Sequence, residues 1–334
     1  MDFTSTVILN PEINHVLPTY EYKQIKLDKI QTFSEGFFHT LQVTPKWRES
    51  ERPRKEFPGS NQNNIRALNQ LAVVWGDPPL EMIDHDFVHE TIAQLQEDTN
   101  NSNATYNRHI ATIKKVLRVC ARSKYISGVP EISFLEKDAK RRPTYWRKDQ
   151  VIRLQQIARE RGDDTLAQAM EMSAYTGVRQ AELLRLRVWD VDFHNNVLLV
   201  GGTPESRTKG RNYREVPINK KLMPILEYRA SSGRPYDGLL FDEYRNQYQL
   251  HRNWDTVRYR YSREDRTVYK IQLGDKTIWS HQWKCFRNSY ITWALDQGTP
   301  LMTVKKWAGH KTVSVTEGYY AQNDANDQEE AQKM

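Results

Sequence analysis

Cysteine is nearly missing from this sequence, and the little there is excludes two architectures. Only Cys120 and Cys285 occur among 334 residues, far apart and outside any Cys-x-x-Cys or His-Cys spacing. Neither a disulfide framework nor a zinc site is signalled, and both read as buried thiols. Long apolar runs are missing as well. None approaches the roughly 18 residues that a membrane-spanning helix needs, and the stretch from Met1 to Pro18 has no basic region followed by an apolar core. The expectation is a soluble, cytoplasmic protein with no membrane partner. What is present in excess is positive charge: 49 Lys and Arg against 42 Asp and Glu leave a net +7, which suits a polyanionic partner without proving one. Hydrophobic residues make up 38% of the chain, enough for packed cores, and its length suits two domains rather than one.

Residues 1–60 are weakly patterned and include a basic, proline-containing stretch from Lys46 to Lys55. They read as a leader packed on the next domain, or as a small arm-binding segment. From about Asn63 apolar residues recur at helical spacing, most clearly over residues 104–126. There Ile110, Ile113, Val116, Leu117, Cys120 and Ala121 share one face, and Arg108, Lys114, Lys115, Arg118 and Arg122 fall opposite. Such a stripe is either a solvated face or a helix laid along phosphates. Glu136 to Lys148 holds six basic residues and a proline without apolar periodicity. It reads as a linker in which Lys140, Arg141 and Arg142 can displace counterions from DNA. The plan is therefore a leader (1–60), a helical domain (61–136), a basic linker (137–148), a larger domain (149–322) and a polar, acidic tail (323–334). In the larger domain, helices are predicted at 149–161, 163–175 and from Gln180, the last after the turn Tyr175-Thr-Gly177. Strands over 196–202 and 214–218 flank a hairpin-like loop, 257–279 is ambiguous, and helices return over 283–295, 301–307 and 316–321, with Gly309 as a stop.

Four segments of this chain, within residues 63–322, resemble the catalytic pattern of the tyrosine recombinases of the phage-integrase (lambda-integrase-like) family. Ala174 to Phe193 is similar to the family's first box, an arginine after a Thr-Gly turn and before a Glu-Leu helix; here it is Arg179, which could also simply pair with Glu182 one turn later. Ser206 to Ile218 is similar to the family's β-hairpin lysine, matched by Lys209, with Arg207, Arg211 and Arg214 close by as alternative phosphate contacts. His281 to Leu301 resembles the His-x-x-Arg box. Alignment on Arg287 puts Lys284 where the family has histidine, and His281 lies three residues further upstream. Val304 to Gln322 resembles the closing box, a Gly-His pair followed by the nucleophile. His310 fits the first element, and the form Thr-Glu-x-x-Tyr-Ala over Thr316 to Ala321 favours Tyr320, with Tyr319 as the alternative.

The resemblance implies a multi-domain, mainly α protein. A helical core-binding (SAM-like) domain would precede a mixed α+β catalytic domain with a small antiparallel sheet, the DNA breaking-rejoining fold, closing as a clamp on duplex DNA. It implies site-specific recombination through a 3′-phosphotyrosyl intermediate, with a homotetramer on two sites, a Holliday junction between two rounds of exchange, and accessory DNA-bending and directionality proteins. Arg179 and Arg287 would grip the non-bridging oxygens, Lys209 would protonate the departing 5′ oxygen, and Lys284 and His310 would bond the phosphate or assist proton movement. No cofactor is expected: positive side chains stand where many nucleases use metal, and no carboxylate cluster is spaced for Mg²⁺. A phage or related mobile element is the expected source. Two other readings share these residues. A type IB topoisomerase relaxes supercoils without paired sites, and a non-catalytic DNA-binding relative, suggested by Lys284, forms no covalent adduct.

Overall fold

The structure, a computed structural model, describes residues 30–44, 59–99, 101–136, 143–201, 213–244, 246–273 and 276–320. The side chain of Tyr320 lies outside what is described, as do the expected DNA contacts Lys140, Arg141, Arg142, Arg207 and Arg211, the hairpin lysine Lys209, and the tail. The chain divides into two compact units, one of Met1–Lys140 with Gln272–Lys276 and the other of Arg141–Ile271 and Thr277–Met334. Among the described residues no helix is long and apolar enough to cross a membrane.

In the first unit, α1 (Phe33–Val43), α2 (Gly59–Trp75), α3 (His85–Thr99) and α4 (Asn103–Arg122) pack through the apolar stripes written in their sequences. Ile110, Ile113, Val116, Leu117 and Cys120 of α4 are buried against Phe33, Phe37 and Leu41 of α1 and Leu68 and Leu71 of α2. Helix α1, which the sequence pattern did not separate from the leader, thus belongs to this core. It starts at a capping box: the Glu35 carboxylate accepts from the Thr32 N–H at 3.0 Å while Thr32 caps the first turn. Of the basic stripe, Arg108, Arg118 and Arg122 are exposed and Lys115 is half-buried. Lys114 is engaged within the unit, donating to the Ile132 carbonyl with its ammonium 4.9 Å from the centre of the Phe134 ring.

The second unit has helices α5 (Lys148–Glu160), α6 (Asp164–Thr176), the one-turn α7 (Gln180–Leu183), α8 (Met223–Ser231), α9 (Gln247–Ser262), α10 (Lys284–Asp296), α11 (Leu301–Ala308) and α12 (Val313–Tyr320). Its antiparallel sheet runs β1 (Val191–Asp192), β2 (Val197–Val200), β3 (Arg214–Pro217), with Leu198 opposite Val216 and Val200 opposite Arg214. The ambiguous stretch 257–279 resolves into the end of α9 followed by the hairpin β4 (Lys270–Leu273) and β5 (Lys276–Trp279). Trp146, Trp254 and Phe286 meet edge-on or stacked at the centre of the main core, sealing α5, α9 and α10 together. Helices α10, α11 and α12 pack on one another around Ile291, Leu295, Val304 and Ala308, with Tyr319 half-buried against that cluster.

Candidate active site

Two helices end at the site, and each ends on a glycine for a physical reason. Gly177 after α6 (φ 63°) and Gly309 after α11 (φ 67°) adopt the left-handed conformation, closed to most side chains, that turns the chain out of a helix. Space forbids a side chain there too: a Cβ on Gly177 would lie 2.5 Å from Tyr290 Cδ1, and one on Gly309 2.9 Å from Arg214 Cδ. Carbonyls at such helix ends are left without intrahelical partners and carry the negative end of the helix dipole.

Arginines fill those vacant partnerships. Arg287, on α10 and buried, donates to the Gly177 carbonyl at 2.7 Å and to the Ala308 carbonyl. Arg214, on the inward face of β3, donates to the Trp307 carbonyl at 2.8 Å and to Glu182 at 2.8 Å. Arg179, at the start of α7, is half-exposed and pairs with Glu182 at 2.7 Å. Arg179 does pair with Glu182, then, but Glu182 is 3% exposed and serves two arginines at once. Burial alone would push its carboxyl up. The hydrogen bonds and charge of Arg214, the Arg179 N–H and the Arg179 charge instead bring it down to about 2.

The cluster is strongly positive, and its other members register this. Burial, with Arg179 and Arg214 as neighbours, lowers Arg287 to about 9. Burial and the charges of Arg287, Arg179 and Arg214 lower His310 to about 4, so its ring is neutral near pH 7. His310 follows Gly309, bonds Thr316 Oγ1 through Nδ1 at 3.0 Å, and stacks on Tyr319 with ring centres 6.3 Å apart. The Tyr319 hydroxyl donates to Asn288 Oδ1 at 2.8 Å, and burial raises its pKa against the opposing pull of Arg287.

Of the residues expected from the sequence, Arg179, Arg287 and His310 are thus brought together, with Tyr319 beside them. Lys284 sits exposed at the first position of α10, one turn before Arg287. His281 is not in the cluster. Its ring lies against Trp146, 4.4 Å between centres, its carbonyl accepts from Arg258, and its charged neighbours are Asp265, Arg147 and Arg258. Asn288 is a member that the sequence did not single out, while Glu182 was marked only as a pairing partner of Arg179 and Arg214 only as a neighbour of the hairpin lysine. For Arg214 a signal existed: it alternates with Val216 on the buried side of β3.

Two guanidiniums paired to one carboxylate and a third held on helix-end carbonyls, with a neutral imidazole and a phenol beside them, make a net-positive cluster suited to an oxyanion. Residues 144–326 match the phage integrase family. Tyrosine recombinase XerC of Oceanobacillus iheyensis is 26% identical over 224 residues, covering 65% of this chain and 70% of that protein. XerC of Alcanivorax borkumensis is 24% identical over 272 residues, 80% and 84% of the two chains. The fold is shared with the Tn1549 transposon integrase in complex with transposon right end DNA (TM-score 0.68, 16% identity, 91% of this chain and 100% of that one). It is also shared with lambda integrase, solved as a tetramer bound to a Holliday junction (TM-score 0.62, 15% identity, 88% and 83%). The chain belongs to the phage integrase family of tyrosine recombinases.

Proposed function

We propose that this recombinase cuts and rejoins duplex DNA at a specific site with Tyr319 as its nucleophile. The observation that carries this reading is the Tyr319 phenol lying beside His310 and within the field of Arg287, in a cluster with Arg179 and Arg214. The scissile phosphate would lie against Arg179 and Arg287 as a second anion beside Glu182, which one carboxylate among three guanidiniums leaves room for in charge. As the Tyr319 oxygen attacks phosphorus, its proton passes to the neighbouring neutral His310 imidazole and charge builds on the non-bridging oxygens, where Arg179 and Arg287 hold it. The bond to the 5′ oxygen breaks, that oxygen takes a proton from Lys209, and the 3′ phosphate stays esterified to the tyrosine. Attack by a 5′ hydroxyl then reverses the step without ATP.

His310, neutral in the free protein, gains basicity once a phosphate offsets the arginine charges, and so hydrogen-bonds the phosphate or carries a proton. Lys284, at the mouth of α10, serves as a phosphate contact. It does not reproduce a near-neutral histidine. Arg108, Lys115, Arg118 and Arg122, with Lys140, Arg141, Arg142, Arg207 and Arg211, would contact the duplex backbone. A homotetramer on two sites, assisted by DNA-bending and directionality proteins in the cytoplasm, fits this chemistry and the lambda integrase neighbour, solved as a tetramer on a Holliday junction. The test is covalent trapping on a nicked duplex site. Wild type should form the adduct, and Arg179→Ala or Arg287→Ala should lose it while still binding the duplex. Equal losses of binding and cleavage would reduce both arginines to anchors.

A further inference from the structure

Asn288 sits on α10 next to Arg287, is 8% exposed, and has both ends of its carboxamide engaged. Its Nδ2 donates to the Thr144 carbonyl at 2.6 Å, and its Oδ1 accepts from the Tyr319 hydroxyl at 2.8 Å. We propose that Asn288 is a positioning residue for the nucleophile: its carboxamide, locked by the Thr144 carbonyl, holds the Tyr319 phenol in line with the arginine cluster. The inference rests on the assignment of Tyr319 above.

Donor and acceptor logic fixes the arrangement. A backbone carbonyl can only accept, so the amide nitrogen must face Thr144 and the amide oxygen must face Tyr319. An amide oxygen can also only accept, so Tyr319 must be the donor and is held as the neutral phenol. The carboxamide cannot take the proton that the phenol loses on attack. Asn288 therefore aims the oxygen and takes no part in proton transfer. Nor is Asn288 needed to dock the segment that Thr144 belongs to. The neighbouring Ser289 accepts from the Trp146 N–H at 2.8 Å and donates to the Cys285 carbonyl, and Trp146 is buried in the core. Loss of the Asn288 side chain falls first on Tyr319, whose hydroxyl has its hydrogen bond there.

Two substitutions separate aiming from mere packing. Asn288→Leu keeps the branching and the number of side-chain heavy atoms and removes both hydrogen bonds. Asn288→Asp keeps an oxygen to accept from Tyr319 in either protonation state, yet places a carboxyl in a buried site against the Thr144 carbonyl, which makes it the less stable of the two. Single-turnover adduct formation on a nicked duplex should fall about tenfold or more for Asn288→Leu, because a displaced nucleophile loses its in-line approach. It should recover for Asn288→Asp, with duplex affinity unchanged in both. Rates that follow thermal stability instead, with aspartate below leucine, would overturn the proposal, as would a leucine variant as fast as wild type. Peptide mapping of the wild-type adduct keeps the two claims apart. DNA on Tyr319 with the wrong rank order sinks only the role of Asn288, whereas DNA on Tyr320 removes the nucleophile assignment and this inference with it.

Discussion

Replacing Glu182 by glutamine should destabilise the second unit by about 3 kcal/mol, and the figure can be reached by two routes. Glu182 is 3% exposed and is the carboxylate to which both Arg179 and the buried Arg214 are paired. Its pKa of about 2 stands against an ordinary 4.5, a gap of roughly 2.5 units that corresponds to about 3 kcal/mol. Removing one partner of a buried pair costs about 3–5 kcal/mol, which overlaps that value. The sign comes from proton counting. Between the two pKa values the unfolded chain holds more protons than the native one, so the stabilisation is fully present above the ordinary carboxylate pKa and is lost as pH falls toward the native value. Urea unfolding followed by tryptophan fluorescence reads this unit, because Trp146 and Trp254 are buried in its core. The difference between wild type and Glu182→Gln should be about 3 kcal/mol near pH 7 and less than half of that near pH 3. A difference below about 1 kcal/mol near pH 7, or one that does not change with pH, would refute the account of the arginine network.

Gly177→Ala forces a Cβ to within 2.5 Å of the Tyr290 ring in a left-handed backbone position. It should cost about 2–4 kcal/mol and also slow cleavage, since the Gly177 carbonyl holds Arg287; a neutral effect on both melting temperature and rate would contradict it. His310, held at about 4, resists a proton that the unfolded chain accepts near its usual pKa. Wild type should therefore lose more stability than His310→Asn as pH drops from about 6.5 toward 4, and parallel melting curves would exclude this. Duplex binding should weaken steeply between about 50 and about 200 mM salt, and Arg108→Ala with Arg118→Ala should reduce the log–log salt slope by about 2, equally for all sequences; an unchanged slope would make the exposed stripe an ordinary solvated face.

Much of the fold was legible because its signals are local. The face of α4 reads directly from Ile110 to Cys120, and β2 is marked by its apolar run from Val197 to Val200. The helix stops at Gly177 and Gly309 are dictated by glycine chemistry, and those stops hold the carbonyls that receive the arginines. Arg179, Arg287 and His310 came from motifs and stand together in space. What escaped depends on partners far away in sequence. Nothing near Asn288 marks it, since it meets Thr144 and Tyr319, 144 and 31 residues away. His281 is drawn into the core by Trp146, whose ring arrives from the start of the second unit. The helix α1 begins with a Thr-x-x-Glu capping box that was readable, but its apolar face is short and its partner is α4. Lys114 looked like its neighbours on the stripe. Only the fold of residues 129–136 back onto α4 shows its ammonium engaged.

The central claim is that strand cleavage runs through Tyr319, and conservative loss of single hydroxyls tests it most directly. Neighbours on a helix point about 100° apart, so only one of Tyr319 and Tyr320 can meet the phosphorus in line. With a nicked duplex site, Tyr319→Phe should bind DNA, keep its fold and form no covalent adduct, while Tyr320→Phe should still form one. An adduct from Tyr319→Phe that disappears in Tyr320→Phe would move the nucleophile by one residue, and cleavage surviving in the double variant would contradict the tyrosine mechanism for this chain.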